Sequence, residues 1–390
     1  MIPRRNFFSL SGAALGALLC QPVLANLGRS RCLKDIVKTP IVDAHAHLVP
    51  GAWFGQPVSP PRPFTREQLV QDIGKNPYIS VPDPESIVAS RLGRLRSYEA
   101  ARADGRIGAS AAFMIAEMDD AGIDIAVNQC LDEFSKPFGR TFAVSIDRVL
   151  SDIAETAKQY PGRIVNFFGV DPNRGKEGVA LLERAVRDFG VCGMGEWTSE
   201  RWNVFPNDRV KAYPYLEKCA ELDIPFVHNG SSPYPTQDPA VFEDILRDFP
   251  SLKVVNGAAG LLTDAERASH PDEIDLPYRL LALAEKYPNF YLDLDDWQRL
   301  DPVGQQRGFV FLQRAMTGPA AERIMFGTDH PIFPRTVSAG EWVDIWINKS
   351  TLVGFQFDDA LLSKFFSTNA LAMLNGPRAP NFIRAAVQNL

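Results

Sequence analysis

Short apolar runs alternate with helical patterns along most of this chain. Runs rich in Val, Ile and Phe are separated by segments whose apolar residues recur every three or four positions, which predicts buried strands joined by helices. The predicted strands are 41–47, 123–130, 164–170, 192–197, 225–230, 253–258, 290–295 and 324–329. The helical spacing is clearest at 178–190 and 361–374. Strands that alternate with helices in this way predict an α/β fold with a parallel sheet, closed into a (β/α)8 TIM barrel.

An open, doubly wound parallel sheet is the alternative architecture. Such a sheet would lead us to expect a phosphate-binding loop, and the sequence contains none. The glycines of 190–195 come in the wrong order for G-x-G-x-x-G, so nucleotide binding is weakly indicated. The closed barrel therefore remains the prediction.

The first strand-to-helix connection is long, covering about residues 48–118. It contains a helical stretch at 84–103. An insertion at that end of a barrel would cover its mouth, so we expect a cap that shapes the substrate pocket. We expect residues 26–390 to form one barrel domain that includes this cap.

The first 25 residues differ in kind from the rest. Arg4 and Arg5 precede an apolar run that ends in small residues at Ala25, which is typical of a twin-arginine signal peptide. The expectation is export through the twin-arginine machinery, cleavage near Ala25 and a periplasmic or secreted mature protein. Loss of the two arginines takes the formal charge from −6 to −8.

Composition narrows the function classes further. A 390-residue chain with 45% hydrophobic residues is ordinary globular material, and its net charge of −6 with no basic run argues against nucleic-acid binding. Four cysteines follow the signal segment, none in a C-x-x-C pair, so a thiolate zinc site is not expected. Their pairing in disulfides stays open, as does a homodimer.

Metal-capable residues cluster at the predicted strand ends. His45 and His47 lie two positions apart on the first strand and would share a face with Asp43. Strands 4, 5 and 8 end in Glu196, His228 and Asp329. Since barrel enzymes build their sites from the carboxyl ends of several strands, three histidines and an aspartate there predict a divalent metal, with zinc first and manganese or iron as alternatives.

Two of these residues could instead have purely structural roles. His228 could be a hydrogen-bonded core histidine, and Asp329 could cap the following turn. Their joint occurrence at the ends of separate strands favours a site.

Several motifs resemble those of the amidohydrolase superfamily. These are "DAHAH", "IPFVHNG", "FGTDHP", "MDDAGIDIAV" and "STNALAML", spread over about residues 40–375. The similarity is to the amidohydrolase-related branch, which includes aminocarboxymuconate-semialdehyde decarboxylase. It implies a (β/α)8 barrel with one divalent metal held by His45, His47, His228 and Asp329. It also implies that Asp329 exchanges protons with a metal-activated water.

The chain departs from that family pattern on two strands. On strand 6, Ala258 stands where the family usually carries a histidine, so His270 could substitute for it or Asn256 could donate to a substrate oxygen. On strand 4, Glu196 could bind metal, act as a catalytic acid–base, or pair with Arg201.

The expected function is hydrolysis of an amide, ester or lactone in a small aromatic or carboxylated substrate. The alternative is metal-dependent, non-oxidative decarboxylation of an aromatic or muconate-type acid, and a non-catalytic periplasmic binding barrel is the second alternative. Asp329 and Glu196 are the expected catalytic residues. The residues expected to contact the substrate are Trp53, Trp197, Arg201, Asn256, Trp297 and Arg335.

Overall fold

Eight parallel strands and the helices between them make up the computed structural model. It describes residues 31–48, 50, 53, 107–135, 141–230, 235–261, 275–297, 302–330 and 338–390. The strands are β1 Val42–Ala46, β2 Ile125–Leu131, β3 Ile164–Gly169, β4 Met194–Trp197, β5 Phe226–His228, β6 Val254–Asn256, β7 Phe290–Asp293 and β8 Ile324–Met325. All eight predicted strands are therefore confirmed, each shorter than or shifted slightly from the predicted range.

Helices follow the strands in chain order. The α-helices are α1 Leu33–Ile36, α2 Ile107–Ala121, α3 Ile146–Gln159, α4 Lys176–Phe189, α5 Ser199–Trp202, α6 Tyr213–Leu222, α7 Pro239–Asp248, α8 Leu276–Lys286, α9 Pro302–Met316, α10 Ala339–Asp344, α11 Ser350–Leu352, α12 Asp359–Ser363, α13 Asn369–Leu374 and α14 Asn381–Gln388. Single π-helical turns, Ile345–Lys349 and Lys364–Thr368, link α10 to α11 and α12 to α13. The helix predicted at 361–374 is thus interrupted by a π-turn, whereas the one at 178–190 is confirmed as α4.

The strands close into a ring through two sets of backbone hydrogen bonds. Strands β1 to β3 form one parallel sheet and β4 to β8 the other. Between β3 and β4, the Phe168 N–H donates to the Gly193 carbonyl at 3.0 Å. Between β8 and β1, the Ala44 N–H donates to the Phe326 carbonyl at 2.9 Å. The predicted (β/α)8 barrel is confirmed.

Apolar side chains form two layers, as this fold requires. The inner cluster takes residues from seven of the strands, with Cys192 just before β4, and is covered by Leu371, Met373 and Ile383 of the last two helices. The larger outer cluster lies between the strands and the surrounding helices. Because the interior is filled by side chains, the open end at the carboxyl ends of the strands is where a site can form.

The signal segment lies outside the described residues, as does most of the predicted cap. No helix in the described ranges is both long and apolar enough to span a membrane. Cys32, Cys130, Cys192 and Cys219 carry free thiols.

Candidate metal centre

The ends of β1 and β8 are held together beside the barrel mouth. The Asp329 N–H donates to the His45 carbonyl at 2.8 Å, and the His47 N–H donates to the His330 carbonyl at 2.6 Å. Asp329 adopts a left-handed φ of 48°. A non-glycine residue in that region is strained, and such strain is concentrated at functional sites.

His47 is oriented by a main-chain carbonyl. Its Nδ1 lies 2.6 Å from the Gln129 carbonyl oxygen. A carbonyl can only accept, so Nδ1 carries the proton and Nε2 keeps a lone pair. That Nε2 lies 3.1 Å from Asp329 Oδ1.

His45 is oriented by carboxylates at the end of β7. Its Nδ1 lies 3.2 Å from Asp293 Oδ2 and also 3.2 Å from Asp295 Oδ2. Its Nε2 faces Glu196 Oε1 at 3.4 Å. This Nε2 is buried and makes no hydrogen bond to any described residue.

These residues fit a divalent cation. Ligand atoms of His45, His47 and Asp329 lie within 4.8 Å of one another, and all three residues are buried. A buried imidazole nitrogen without a partner is costly unless something binds it, and two neutral imidazoles with carboxylates are a donor set for zinc or manganese. The structure thus brings three of the four predicted ligands together, with the Glu196 carboxylate beside them.

Buried imidazoles and carboxyl groups at the site shift one another's pKa values. Burial opposes the charged form of His45, but Asp295 and Asp293 outweigh it and raise the pKa of His45 well above its usual value. Burial also opposes ionisation of Glu196, yet the two imidazoles lower its pKa to about 2. Burial, then repulsion from Asp293, raises the pKa of Asp295 well above its usual range.

His228 is not one of the three clustered residues, although its Nδ1 is buried and makes no hydrogen bond to any described residue. Its Nε2 is 2.9 Å from the Ser199 hydroxyl, which also accepts the Trp197 indole N–H at 3.1 Å. Its ring packs edge-on against Phe242 on α7. Burial lowers the pKa of His228 to about 3, so the ring is neutral. Its role as a metal ligand stays a prediction.

Asp43 does not join the cluster either. Its carboxylate accepts hydrogen bonds from the Thr328 N–H at 2.9 Å and the Thr328 hydroxyl at 2.5 Å. Burial raises its pKa to about 7 despite those bonds. The His45 backbone N–H also donates to Asp43 Oδ1 at 3.2 Å, so both carboxylate oxygens of Asp43 already have partners.

The three tryptophans expected at the rim are buried, with their indole N–H groups bonded. Trp197 has no exposed surface and packs among core aromatic rings, while Trp297 donates to the Ala258 carbonyl at 2.8 Å. Trp53 donates to Asp152 on α3 at 2.9 Å and packs edge-on against Phe142. These are the contacts of packing residues, and a role for the three rings in substrate binding stays a prediction.

The two remaining described candidates have neighbours of their own. Asn256 is buried at the end of β6 and donates to Gln237 at 2.8 Å, while its own Oδ1 makes no hydrogen bond to any described residue. Arg201 pairs with Glu200 at 3.1 Å, and its charge helps to lower the pKa of Glu196. Arg335 and His270 lie outside the described residues.

Asp293 and Asp295 are site residues that the sequence analysis missed. A signal for them existed, because "LDLD" places two carboxylates two positions apart at a strand end, as "HAH" does for the histidines. The Ala258 N–H donates to Asp293 Oδ1 at 3.1 Å. The end of β7 therefore supplies carboxylates where β6 lacks a histidine.

Comparisons with known proteins agree with this fold. Residues 42–376 match the sequence model of the family described as Amidohydrolase. No curated protein matches the chain.

Three solved structures illustrate the similarity. One is 5-carboxyvanillate decarboxylase from Novosphingobium aromaticivorans, complexed with manganese and 4-hydroxy-3-methoxy-5-nitrobenzoic acid (16% identity, 88% of this chain and 98% of that chain, TM-score 0.51). A second is a probable 2-pyrone-4,6-dicarboxylic acid hydrolase from Acinetobacter baumannii (13% identity, 86% of this chain and 98% of that chain, TM-score 0.51). A third is 2,6-dihydroxybenzoate decarboxylase complexed with 2,6-dihydroxybenzoate (15% identity, 86% of this chain and 99% of that chain, TM-score 0.50). At these identities the likeness shows a shared fold.

Proposed function

The chain belongs to the amidohydrolase family, and we propose that it is a metal-dependent enzyme acting on a small carboxylated molecule. The observation that carries the proposal is the orientation of two imidazoles. His45 and His47 both hold Nδ1 against fixed acceptors, and both offer ligand atoms in the group that includes Asp329. Glu196 lies beside this group and is ionised at neutral pH.

We infer that manganese is the first cation to test and zinc the second. The group itself offers two imidazoles and one carboxylate, and Glu196 beside it adds a second carboxylate. A donor set with more oxygen suits manganese better than a three-histidine set does. The manganese in the 5-carboxyvanillate decarboxylase complex supports the same choice.

For the reaction, we propose non-oxidative decarboxylation of a small aromatic hydroxy acid. A divalent cation bound at this site would supply a Lewis acid for substrate oxygens. The bond from the ring to the carboxylate breaks, carbon dioxide leaves, and the ring carbon keeps the electron pair and takes a proton. Asp295 is our candidate donor, since its Oδ1 is buried and makes no hydrogen bond within the described residues. Two of the three similar structures are decarboxylases of aromatic acids.

Hydrolysis is the second candidate reaction. It is favoured by Asp329, which lies 3.1 Å from His47 Nε2 and could accept a proton from water. The similarity to a probable 2-pyrone-4,6-dicarboxylic acid hydrolase also supports it.

The test combines metal content with product analysis. We would measure manganese and zinc by elemental mass spectrometry in wild type, H45A and H228A purified without chelators, and then assay release of carbon dioxide from hydroxybenzoates and water-dependent opening of lactones. About one equivalent of metal that is lost in H45A, with carbon dioxide release, is the expected result. Lactone opening alone would establish hydrolysis instead. Bound metal without turnover of either the hydroxybenzoates or the lactones would favour a non-catalytic binding protein. The absence of metal after reconstitution would overturn the proposal. Retention of metal by H228A would show that His228 is not a ligand.

A further inference from the structure

Two carboxylates lie at equal distances from one imidazole nitrogen. Asp293 Oδ2 and Asp295 Oδ2 are each 3.2 Å from His45 Nδ1. A neutral imidazole has one proton to donate at Nδ1, so only one of the two can accept it at a time.

The carboxylate of Asp293 is fixed by the main chain. Its Oδ1 accepts the Ala258 N–H at 3.1 Å and the Asp295 N–H at 3.3 Å. With that oxygen occupied, Oδ2 is left for His45. Asp295 has no such anchor, since its Oδ1 makes no hydrogen bond to a described residue. Of the two carboxylates, Asp293 is therefore the one whose orientation is fixed by the main chain.

The backbone of two glycines also lies close to His45, one beside its ring and one beside its Cβ. A Cβ atom added to Gly257 would lie 3.0 Å from His45 Cε1, and one added to Gly327 would lie 3.0 Å from His45 Cβ. Such close backbone approach leaves the ring little freedom to turn. The partner of Nδ1 thus decides which of the two nitrogens carries the proton.

We propose that Asp293 is a positioning residue that holds the Nδ1 proton of His45 and so directs the Nε2 lone pair at the metal. This inference rests on the proposed metal-dependent function and assigns Asp293 a part in it that Asp295 does not share. Carboxylates behind a histidine ligand fix its tautomer, and their loss typically weakens metal binding about 10- to 100-fold.

An asparagine at position 293 would reverse this arrangement. Its amide oxygen would have to face the two main-chain N–H groups, which would leave the NH2 group facing His45 Nδ1. Two donors cannot bond each other, so His45 would shift its proton to Nε2, the atom that must bind the cation.

The experiment compares two variants that are matched in the substitution made and in distance from His45. Metal-free wild type, D293N and D295N would be titrated with Mn²⁺ and Zn²⁺ against a competing chelator, with far-UV circular dichroism to verify folding. Each variant replaces a carboxyl group 3.2 Å from His45 Nδ1 with an amide, so an effect of proximity alone would be equal in both. We expect D293N to bind about 10- to 100-fold more weakly and D295N to bind within about threefold of wild type. Equal losses in both variants, or none in D293N, would overturn the inference while leaving the metal site intact.

A measurement on the wild-type chain covers the case in which D293N does not fold. With ¹⁵N-labelled histidine and ¹¹³Cd, coupling between cadmium and His45 Nε2 with a proton on Nδ1 is the expected spectrum. The chain has five histidines, so H45A would assign the signal. Coupling through Nδ1 would make Asp293 a neighbouring ligand and contradict a positioning role. A wild-type chain that binds none of the three cations would overturn both the inference and the proposed function.

Discussion

At the scale of single residues, the site depends on which atom each side chain offers. His45, His47 and Asp329 were predictable because two histidines in one strand and a polar strand end are local patterns. The acceptors behind them were not, since Gln129 contributes a backbone carbonyl and Asp293 lies 248 positions from His45. Local periodicity carries no information about such partners.

A side chain at Gly257 should press on the His45 ring. In G257A the new Cβ would lie 3.0 Å from His45 Cε1 and 3.2 Å from Nδ1, so the imidazole must shift off its position. We expect metal affinity to fall about tenfold, a change typical for loss of support behind a ligand. G340A is the control, because the nearest atom to its Cβ is 3.6 Å away. Chelator competition measures both, and unchanged affinity in G257A would contradict the confinement of His45.

Metal binding should depend steeply on pH. In the metal-free chain the pKa values of His45 and His47 are raised, because neighbouring carboxylates outweigh the effect of burial. This protonation stabilises the metal-free fold below the ordinary histidine pKa of about 6.5, and the stabilisation is lost as pH rises through the raised values. A cation must displace these protons, so the gain in Tm on adding Mn²⁺ should be small near pH 6 and grow toward pH 9. A gain that shrinks over this range would argue against His45 and His47 as ligands.

At the scale of elements, the eight strands and the helix α4 followed from periodicity alone. The strand that departed from expectation was β1, where the Asp43 carboxylate bonds Thr328 and the His45 backbone N–H and does not join the ligand cluster. The π-turn Lys364–Thr368 inside the predicted last helix was also unforeseen. Both irregularities depend on how an element meets its neighbours, which a pattern of apolar residues does not encode.

Lys253 links the start of β6 to the end of α13. Its Nζ donates to the carbonyls of Ala372 at 3.1 Å, Met373 at 3.0 Å and Asn375, satisfying groups that a helix end leaves free. We expect K253M to lower the free energy of unfolding by about 1–3 kcal/mol, because charge-assisted bonds are lost and carbonyls left unpaired.

Denaturant unfolding of the metal-free protein would measure this effect. The control is K158M, since the Lys158 side chain is 75% exposed and its pair with Glu155 is a surface pair. A loss no larger in K253M than in K158M would contradict the role of Lys253.

At the scale of the whole molecule, the described residues form one barrel with its candidate site at the carboxyl ends of the strands. Both the cap and the signal segment remain predictions, since they fall largely or wholly outside those residues. We likewise propose that residues 26–390 form one domain, with the cap covering the barrel mouth.

The expected export route can be tested by changing Arg4 and Arg5 alone. We propose that replacing Arg4 and Arg5 with lysine retains the protein in the cytoplasm, because the twin-arginine pair is the expected address. Fractionation of cells expressing wild type and the double variant, followed by immunoblotting, would measure this. Equal periplasmic amounts of the two proteins would contradict a twin-arginine route.

The sequence by itself determined the barrel and the residue types at its mouth. Alternating apolar runs specify strands and helices, and polar residues at the ends of those runs mark the site, because both signals are local. Only the tertiary structure decided which nitrogen of His45 faces the cluster, that His228 turns to Ser199, and that Trp197 is a core residue. Ring orientation and burial are set by contacts between strands distant in the chain, and the sequence pattern specifies none of those contacts.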